Sequence, residues 1–149
     1  MLRRLQELEV EVVANFLITQ LHYARIARNL QLVQTPDADE NGNLPIHQAL
    51  FDRVALGAYK LLAEADLTTL QTTNRNGNTF LHEACLIPNY DVVEMLLTRY
   101  PTSIVCTSIE NSHGKLPIQL LLEHEYNTPE SARHLNCIFL LLRANPVIW

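Results

Sequence analysis

Asn41-Gly42-Asn43-Leu44-Pro45-Ile46-His47-Gln48-Ala49, Asn76-Gly77-Asn78-Thr79-Phe80-Leu81-His82-Glu83-Ala84 and His113-Gly114-Lys115-Leu116-Pro117-Ile118-Gln119-Leu120-Leu121 are three near-copies of one phrase, and their spacing decides the fold. The glycines fall 35 and 37 residues apart, the period of a helical repeat array rather than of scattered catalytic motifs. Gly in this place suits a tight turn whose backbone needs positive φ. The turn runs straight into a helix. Pro45 and Pro117 fit its first turn, where a missing N–H costs nothing, and Thr79 can accept a bond from an orphan N–H. Ile46, Leu81 and Ile118 then enter the core. His47 and His82 open their helices, where a ring nitrogen can satisfy backbone groups of the turn or of the neighbouring repeat. Ala49 and Ala84 are small enough for a second helix to approach closely.

That second helix has its own signature, in Tyr59-Lys60-Leu61-Leu62, Val92-Val93-Glu94-Met95-Leu96-Leu97 and Ile138-Phe139-Leu140-Leu141-Leu142, with Pro101 and Pro146 as stop signals after the last two. The combination resembles the ankyrin repeat, whose pattern is a turn with Gly, then T-P-L-H-x-A, then a second helix ending in paired leucines. The resemblance implies an all-α, ankyrin-like helical repeat solenoid of helix–turn–helix units with short β-turn fingers. It covers residues 36–149, divided into repeats at about 37–70, 71–106 and 107–149. Leu44 and Leu116 stand where the pattern has a capping Thr, a loss of about 0.5–2 kcal/mol per site. Phe80 replaces Pro. Gln119 replaces His, and Leu121 replaces the small Ala, so the third helix pair should sit farther apart or be covered. Roughly eight extra residues lie between Leu122 and Cys137, which makes 123–136 a candidate functional loop.

Residues 1–35 form a separate N-terminal segment. Leu2, Leu5, Leu8, Val12 and Phe16, then Leu21, Tyr23, Ile26 and Leu30, recur at helical spacing and imply two amphipathic helices with a break near Thr19, capping the first repeat. Thr19-Gln20-Leu21-His22-Tyr23-Ala24 is similar to the repeated phrase, but His22 stands too close to His47 for a full repeat. It is a degenerate half-repeat or a chance match. At the other end Val147-Ile148-Trp149 begins what should be another turn. Either the natural protein continues, or Trp149 folds back as a cap.

An apolar content of 48% is too high for a disordered chain. The net charge of −5, with eleven scattered Lys and Arg, argues against nucleic acid, which needs a clustered basic face. No segment reaches the eighteen or so apolar residues of a membrane span, and no secretory signal is evident. Cys85, Cys106 and Cys137 are odd in number and scattered over the repeats, which suits reduced thiols in a cytoplasmic or nuclear protein. Of four glycines only Gly57 lies outside the turns, so no phosphate cradle can be written, and no G-x-S-x-G elbow occurs. His82-x-x-Cys85 and His134-x-x-Cys137 each set two zinc-type ligands one helical turn apart. The repeat accounts for His82 by itself and puts Cys137 on another helix. Neither enzyme activity nor a metal, cofactor or small-molecule substrate is expected.

The expected role is protein–protein interaction, as adaptor, scaffold or inhibitor, in the manner of small all-ankyrin inhibitors of cyclin-dependent kinases. The alternative is a permanent subunit or assembly factor of a larger complex. In arrays of this type the turn tips and the exposed flank of the inner helices line a concave face. Carried onto this chain, the tips are Glu40, Asn41 and Asn43, then Arg75, Asn76 and Asn78, then Ser112, His113 and Lys115. The inner-helix positions are Phe51 and Asp52, Leu86 and Ile87, and Glu123 and His124. Phe51, Leu86 and Ile87 would make an apolar centre within a polar rim, as interfaces are arranged.

Overall fold

The computed structural model describes residues 2–36, 41–124 and 131–148, apart from the side chains of Leu2 and Ile148. The regular elements among them are all helical: α1 (Leu2–Ala27), α2 (Leu30–Gln34), α3 (Pro45–Phe51), α4 (Leu56–Ala65), α5 (Phe80–Leu86), α6 (Tyr90–Arg99), α7 (Pro101–Cys106), α8 (Pro117–Leu122) and α9 (Ser131–Ala144). Short 3-10 turns sit at Leu67–Leu70 and Pro146–Ile148. No strand forms among the described residues.

The repeated phrases fold as α3, α5 and α8, each led by its turn. Gly42, Gly77 and Gly114 take φ of 59°, 71° and 69°, the left-handed region open to glycine at little cost. At the start of α5 the Thr79 hydroxyl accepts from the His82 N–H at 3.4 Å, whereas Leu44 and Leu116 make no side-chain cap bond. All three starts share the reverse bond. The backbone N–H of Leu44, Thr79 and Leu116 donates to His47 Nδ1 (3.1 Å), His82 Nδ1 (3.1 Å) and Gln119 Oε1 (2.7 Å). Gln119 thus does with an amide oxygen what the two histidines do with a ring nitrogen, which explains how the third phrase departs from the pattern and keeps its geometry.

Helices pair as α3 with α4, α5 with α6 and α8 with α9, and the pairs stack: α5 packs on both α3 and α8, and α6 on both α4 and α9. One core runs through the stack. Ile46, Ala49, Leu50, Tyr59, Leu62, Phe80, Leu81, Ala84, Leu96, Leu121 and Leu141 are essentially inaccessible. Burying a side chain of Leu or Phe size stabilises by about 1.5–3 kcal/mol, so this continuous core is what holds helices of six to fourteen residues that would be marginal alone. Tyr59 adds a buried bond from its hydroxyl to the Ala49 carbonyl at 3.0 Å. Leu121 fills the core rather than standing off it.

Three expectations need correction. α1 runs through Thr19 without a break, since the Thr19 hydroxyl bonds back to the Asn15 carbonyl (2.9 Å) inside the helix. The chain turns instead at Asn29, whose side chain caps α2. Pro101 is not a plain stop signal, because residues 101–106 are helical. Pro101 ends α6 and also opens α7, as Pro may at a first helical position. Of the candidate loop 123–136, residues 131–136 belong to α9, and 125–130 lie outside the described residues, as does Trp149.

Candidate interaction surface

The turns are joined side by side. Gly77 N–H bonds to Asn74 O (3.0 Å) and Gly114 N–H to Asn111 O (2.9 Å), closing each turn on itself. Arg75 N–H then reaches Asn41 O (2.9 Å), and Ser112 N–H reaches Asn76 O (3.0 Å), tying each turn to the one before. Beneath the tips runs a row of buried amides. Asn74 Nδ2 donates to Asn43 Oδ1 (2.9 Å) and Asn111 Nδ2 to Asn78 Oδ1 (2.9 Å), while Glu83 accepts from Asn74 (2.7 Å) and Asn78 (2.9 Å). Asn74 and Asn111 also accept from backbone N–H groups of their own turns, as Asx turns do. A buried polar network in which each member is paired rigidifies what it holds. The expected tip residues Asn43 and Asn78 are therefore corrected: both are buried in this row and hold the turns rather than face a partner.

The remaining tip residues Asn41, Arg75, Asn76, Ser112 and His113 are exposed, and Lys115 is half-buried with its ammonium paired to the Glu123 carboxylate. Glu40 lies outside the described residues. Phe51 and Leu86 occupy the same position four residues after His47 and His82, at the ends of stacked helices, and remain 49% and 42% exposed. Glu123, the cap residue after α8, is their counterpart in the third repeat. Ile87 does not join them, because it packs against the core as the cap residue of α5. Asp52 accepts from the Tyr23 hydroxyl, and His124 Nε2 lies 3.1 Å from the Cys85 carbonyl, so both are tied to the body.

The two buried histidines are fixed in role. Since Nδ1 accepts from a backbone N–H, the proton sits on Nε2, and in His82 that nitrogen donates to the Lys115 carbonyl of the next repeat at 3.2 Å. Desolvation lowers the pKa of His82 and brings that of His47 down to about 4. His47 Nε2 has no hydrogen-bond partner in the structure, and its ring meets Phe80, the residue standing where the other phrases have Pro, edge-on at 6.2 Å between centroids. Both ring nitrogens of His82 are thus engaged by backbone groups. Among the described residues no three His, Cys, Asp or Glu are grouped to hold a metal ion. Cys85, Cys106 and Cys137 are buried free thiols whose pKa values burial raises, to about 11 for the last two. Such thiols are unreactive near neutrality.

The amide row went unread in the sequence although its signal was present, as Asn74 and Asn111 each stand three residues before a turn glycine. No helix among the described residues is long and apolar enough to cross a membrane. No curated protein and no solved structure matches the chain. Residues 76–106, which comprise the second turn, α5, α6 and α7, match the family model described as ankyrin repeat, a module that is typically non-enzymatic and implies protein partners. In that turn, helix pair and closing helical turn, this middle segment of the chain is similar to an ankyrin repeat.

Proposed function

We propose that this chain is a protein-interaction module without catalysis of its own, a solenoid of three repeats (37–70, 71–106, 107–149) capped by residues 1–35. It binds one partner protein on its concave face, as adaptor, scaffold or inhibitor. The observation that carries the reading is the pair Phe51 and Leu86, large apolar side chains left about half exposed at equivalent positions of stacked helices. At the other ends of the inner helices, Asn41, Arg75, Asn76, Ser112 and His113 stand exposed on turns that the backbone and amide bonds hold in place. A preorganised rim with apolar anchors at its centre concentrates binding energy in a few residues. Lys115, Glu123 and His124 extend the rim at the third repeat. The buried free thiols suit a reducing compartment, cytoplasmic or nuclear.

Affinity capture from the source cell with wild type, Phe51→Asp/Leu86→Asp and Leu61→Asp tests this. Leu61 on α4 is as exposed as Phe51, so it controls for surface apolarity. The double variant should lose its partner by at least about 2 kcal/mol, roughly 30-fold, with melting unchanged. Loss of the partner through Leu61→Asp as well, or its retention by the double variant, would sink the proposal. A permanent subunit is the second reading, favoured by the exposed Leu135 and Phe139 of α9. It requires co-purification at constant stoichiometry and a chain that aggregates when produced alone.

A further inference from the structure

Helix α3 ends on a residue that its backbone does not favour. Arg53 N–H bonds to Leu50 O (3.3 Å) and Val54 N–H to Ala49 O (3.4 Å), the paired bonds of a Schellman close, which puts the residue after the cap in the left-handed region. Arg53 sits there with φ 49°, and among the described residues no other non-glycine has a positive φ. A Cβ in that region crowds the following carbonyl, so Gly is the usual occupant and Asn the next. At the matching place after α5 the chain has Pro88, with Asn89 N–H bonding to Ala84 O (3.1 Å), so the repeat closes elsewhere without a left-handed side chain. Nor does the body hold the Arg53 side chain. It is exposed, and its guanidinium makes no hydrogen bond or ion pair among the described residues, whereas Arg99 and Arg133 are paired to Glu64 and Asp91. A residue that strains the backbone and gains no contact breaks a local rule, and such breaks concentrate where a ligand is held.

Arg53 stands on the edge of a pocket. A cleft of about 440 Å³ opens between the loop after α3 and the loop after α5, within the size range of ligand sites. Leu50, Val54, Ile87 and Tyr90 give it an apolar wall, and Arg53, Asp91 and Arg133 give it a charged edge. The Asp91 carboxylate already neutralises Arg133, and Asp52 accepts from the Tyr23 hydroxyl, so the charge left for a ligand is the guanidinium of Arg53. A planar guanidinium takes a carboxylate through two parallel bonds, and an apolar wall beside it takes an aliphatic side chain. A phosphate group carries nearly two negative charges, which Asp91 on the same edge would oppose. Phe51 and Leu86 directly precede the two loops, so the pocket continues the surface that this exposed pair begins.

We propose that the pocket selects the partner: it receives an acidic residue, Asp or Glu, that stands beside a large aliphatic one in the partner protein. The carboxylate lies on Arg53 and the aliphatic side chain on Leu50, Val54 and Ile87. This rests on the reading of Phe51 and Leu86 as partner anchors and adds to it the chemistry that chooses between partners.

Dodecapeptides displayed on phage and selected on the full chain supply the probe. The selected sequences should place Asp or Glu beside Leu, Ile or Met. A synthetic peptide made from them should bind Arg53→Gly at least about 10-fold more weakly, and should lose as much on wild type when its own acid is replaced by the amide. Salt should weaken the wild-type complex more than the residual Arg53→Gly complex. The urea midpoint of Arg53→Gly should be unchanged or higher, because Gly suits the left-handed position. A lower midpoint would assign Arg53 to the C-terminus of α3, where a cation favours the helix dipole, and overturn the proposal. Selection of no acidic peptide, or equal binding by wild type and Arg53→Gly, would also overturn it. Phe51→Ala/Leu86→Ala, which adds no charge, separates the pocket from the wider surface. Peptides lost by that variant and kept by Arg53→Gly leave the surface standing without the pocket, and peptides kept by both variants remove both.

Discussion

His47 and His82 are residues whose protonation state the fold depends on. Each needs a neutral ring with an acceptor at Nδ1, and in His47 the ring is wholly buried with its pKa brought to about 4 by desolvation. The unfolded chain takes up a proton near pH 6.5 and the folded one only near 4, so between these values the unfolded state binds more protons. Stability is therefore full above about pH 6.5 and falls as pH drops toward 4, by on the order of 3 kcal/mol for His47. His82, shifted in the same direction by the same cause, adds to the slope. His47→Gln should flatten it, because a Gln at this position can accept the same backbone N–H, as Gln119 does in the third phrase. Urea midpoints of wild type and variant at pH 7, 6 and 5 check this. Equal slopes would mean that His47 is not the titrating group. What the sequence made legible here was that these histidines belong to the repeat. Their tautomer and the unmatched Nε2 of His47 required the neighbouring turn to be in place.

At the scale of elements, the turns are where neighbouring repeats touch through backbone rather than through side chains. A Cβ on Gly77 would lie 2.6 Å from the Ser112 backbone nitrogen and 2.8 Å from its hydroxyl, across the Ser112 N–H to Asn76 O bond. A Cβ on Gly114 would meet nothing within 4 Å. Both glycines have positive φ, so both substitutions carry the left-handed penalty of about 1–2 kcal/mol, and only one also breaks a junction between repeats. Gly77→Ala should therefore cost at least about 1 kcal/mol more than Gly114→Ala in chemical denaturation, the worth of a lost hydrogen bond plus strain. Equal costs would show that the turns are not rigidly joined. The elements themselves were uneven in legibility. α3, α5 and α8 follow from turn, cap and apolar spacing, and α4, α6 and α9 from their paired leucines. The short helices α2 and α7 and the turn Leu67–Leu70 were missed because each follows a helix end, where a stop signal hides a new start. Asn29 and Asp66, whose side chains cap α2 and Leu67–Leu70, were the readable clue. α1 reads as two helices because the apolar residues step by five from Phe16 to Leu21, although the helix is continuous and Thr19 only marks the point where it leaves the body.

Across the whole molecule the repeats are not equivalent, because stacking gives the middle pair neighbours on both sides. α5 packs on α3 and α8, and α6 on α4 and α9, whereas among the described residues no further pair covers α8 and α9. The end of the stack is visible residue by residue. Leu122 is 44% exposed where its counterparts Leu50 and Cys85 are 1% and 0%, and Leu135 and Phe139 of α9 stand 56% and 60% exposed. The segment matched as an ankyrin repeat, 76–106, is this doubly covered middle. Where each repeat contacts only its neighbours, local opening should follow the count of neighbours, with the ends opening at lower free energy than the centre. Hydrogen exchange should accordingly be slowest in α5 and α6, faster in α3, α8 and α9, and fastest at residues 3–18 in dilute protein, where α1 has left the body. Uniform protection from α3 to α9 would instead mean that the stack opens only as a whole, with coupling between repeats strong enough to erase the difference between its middle and its ends.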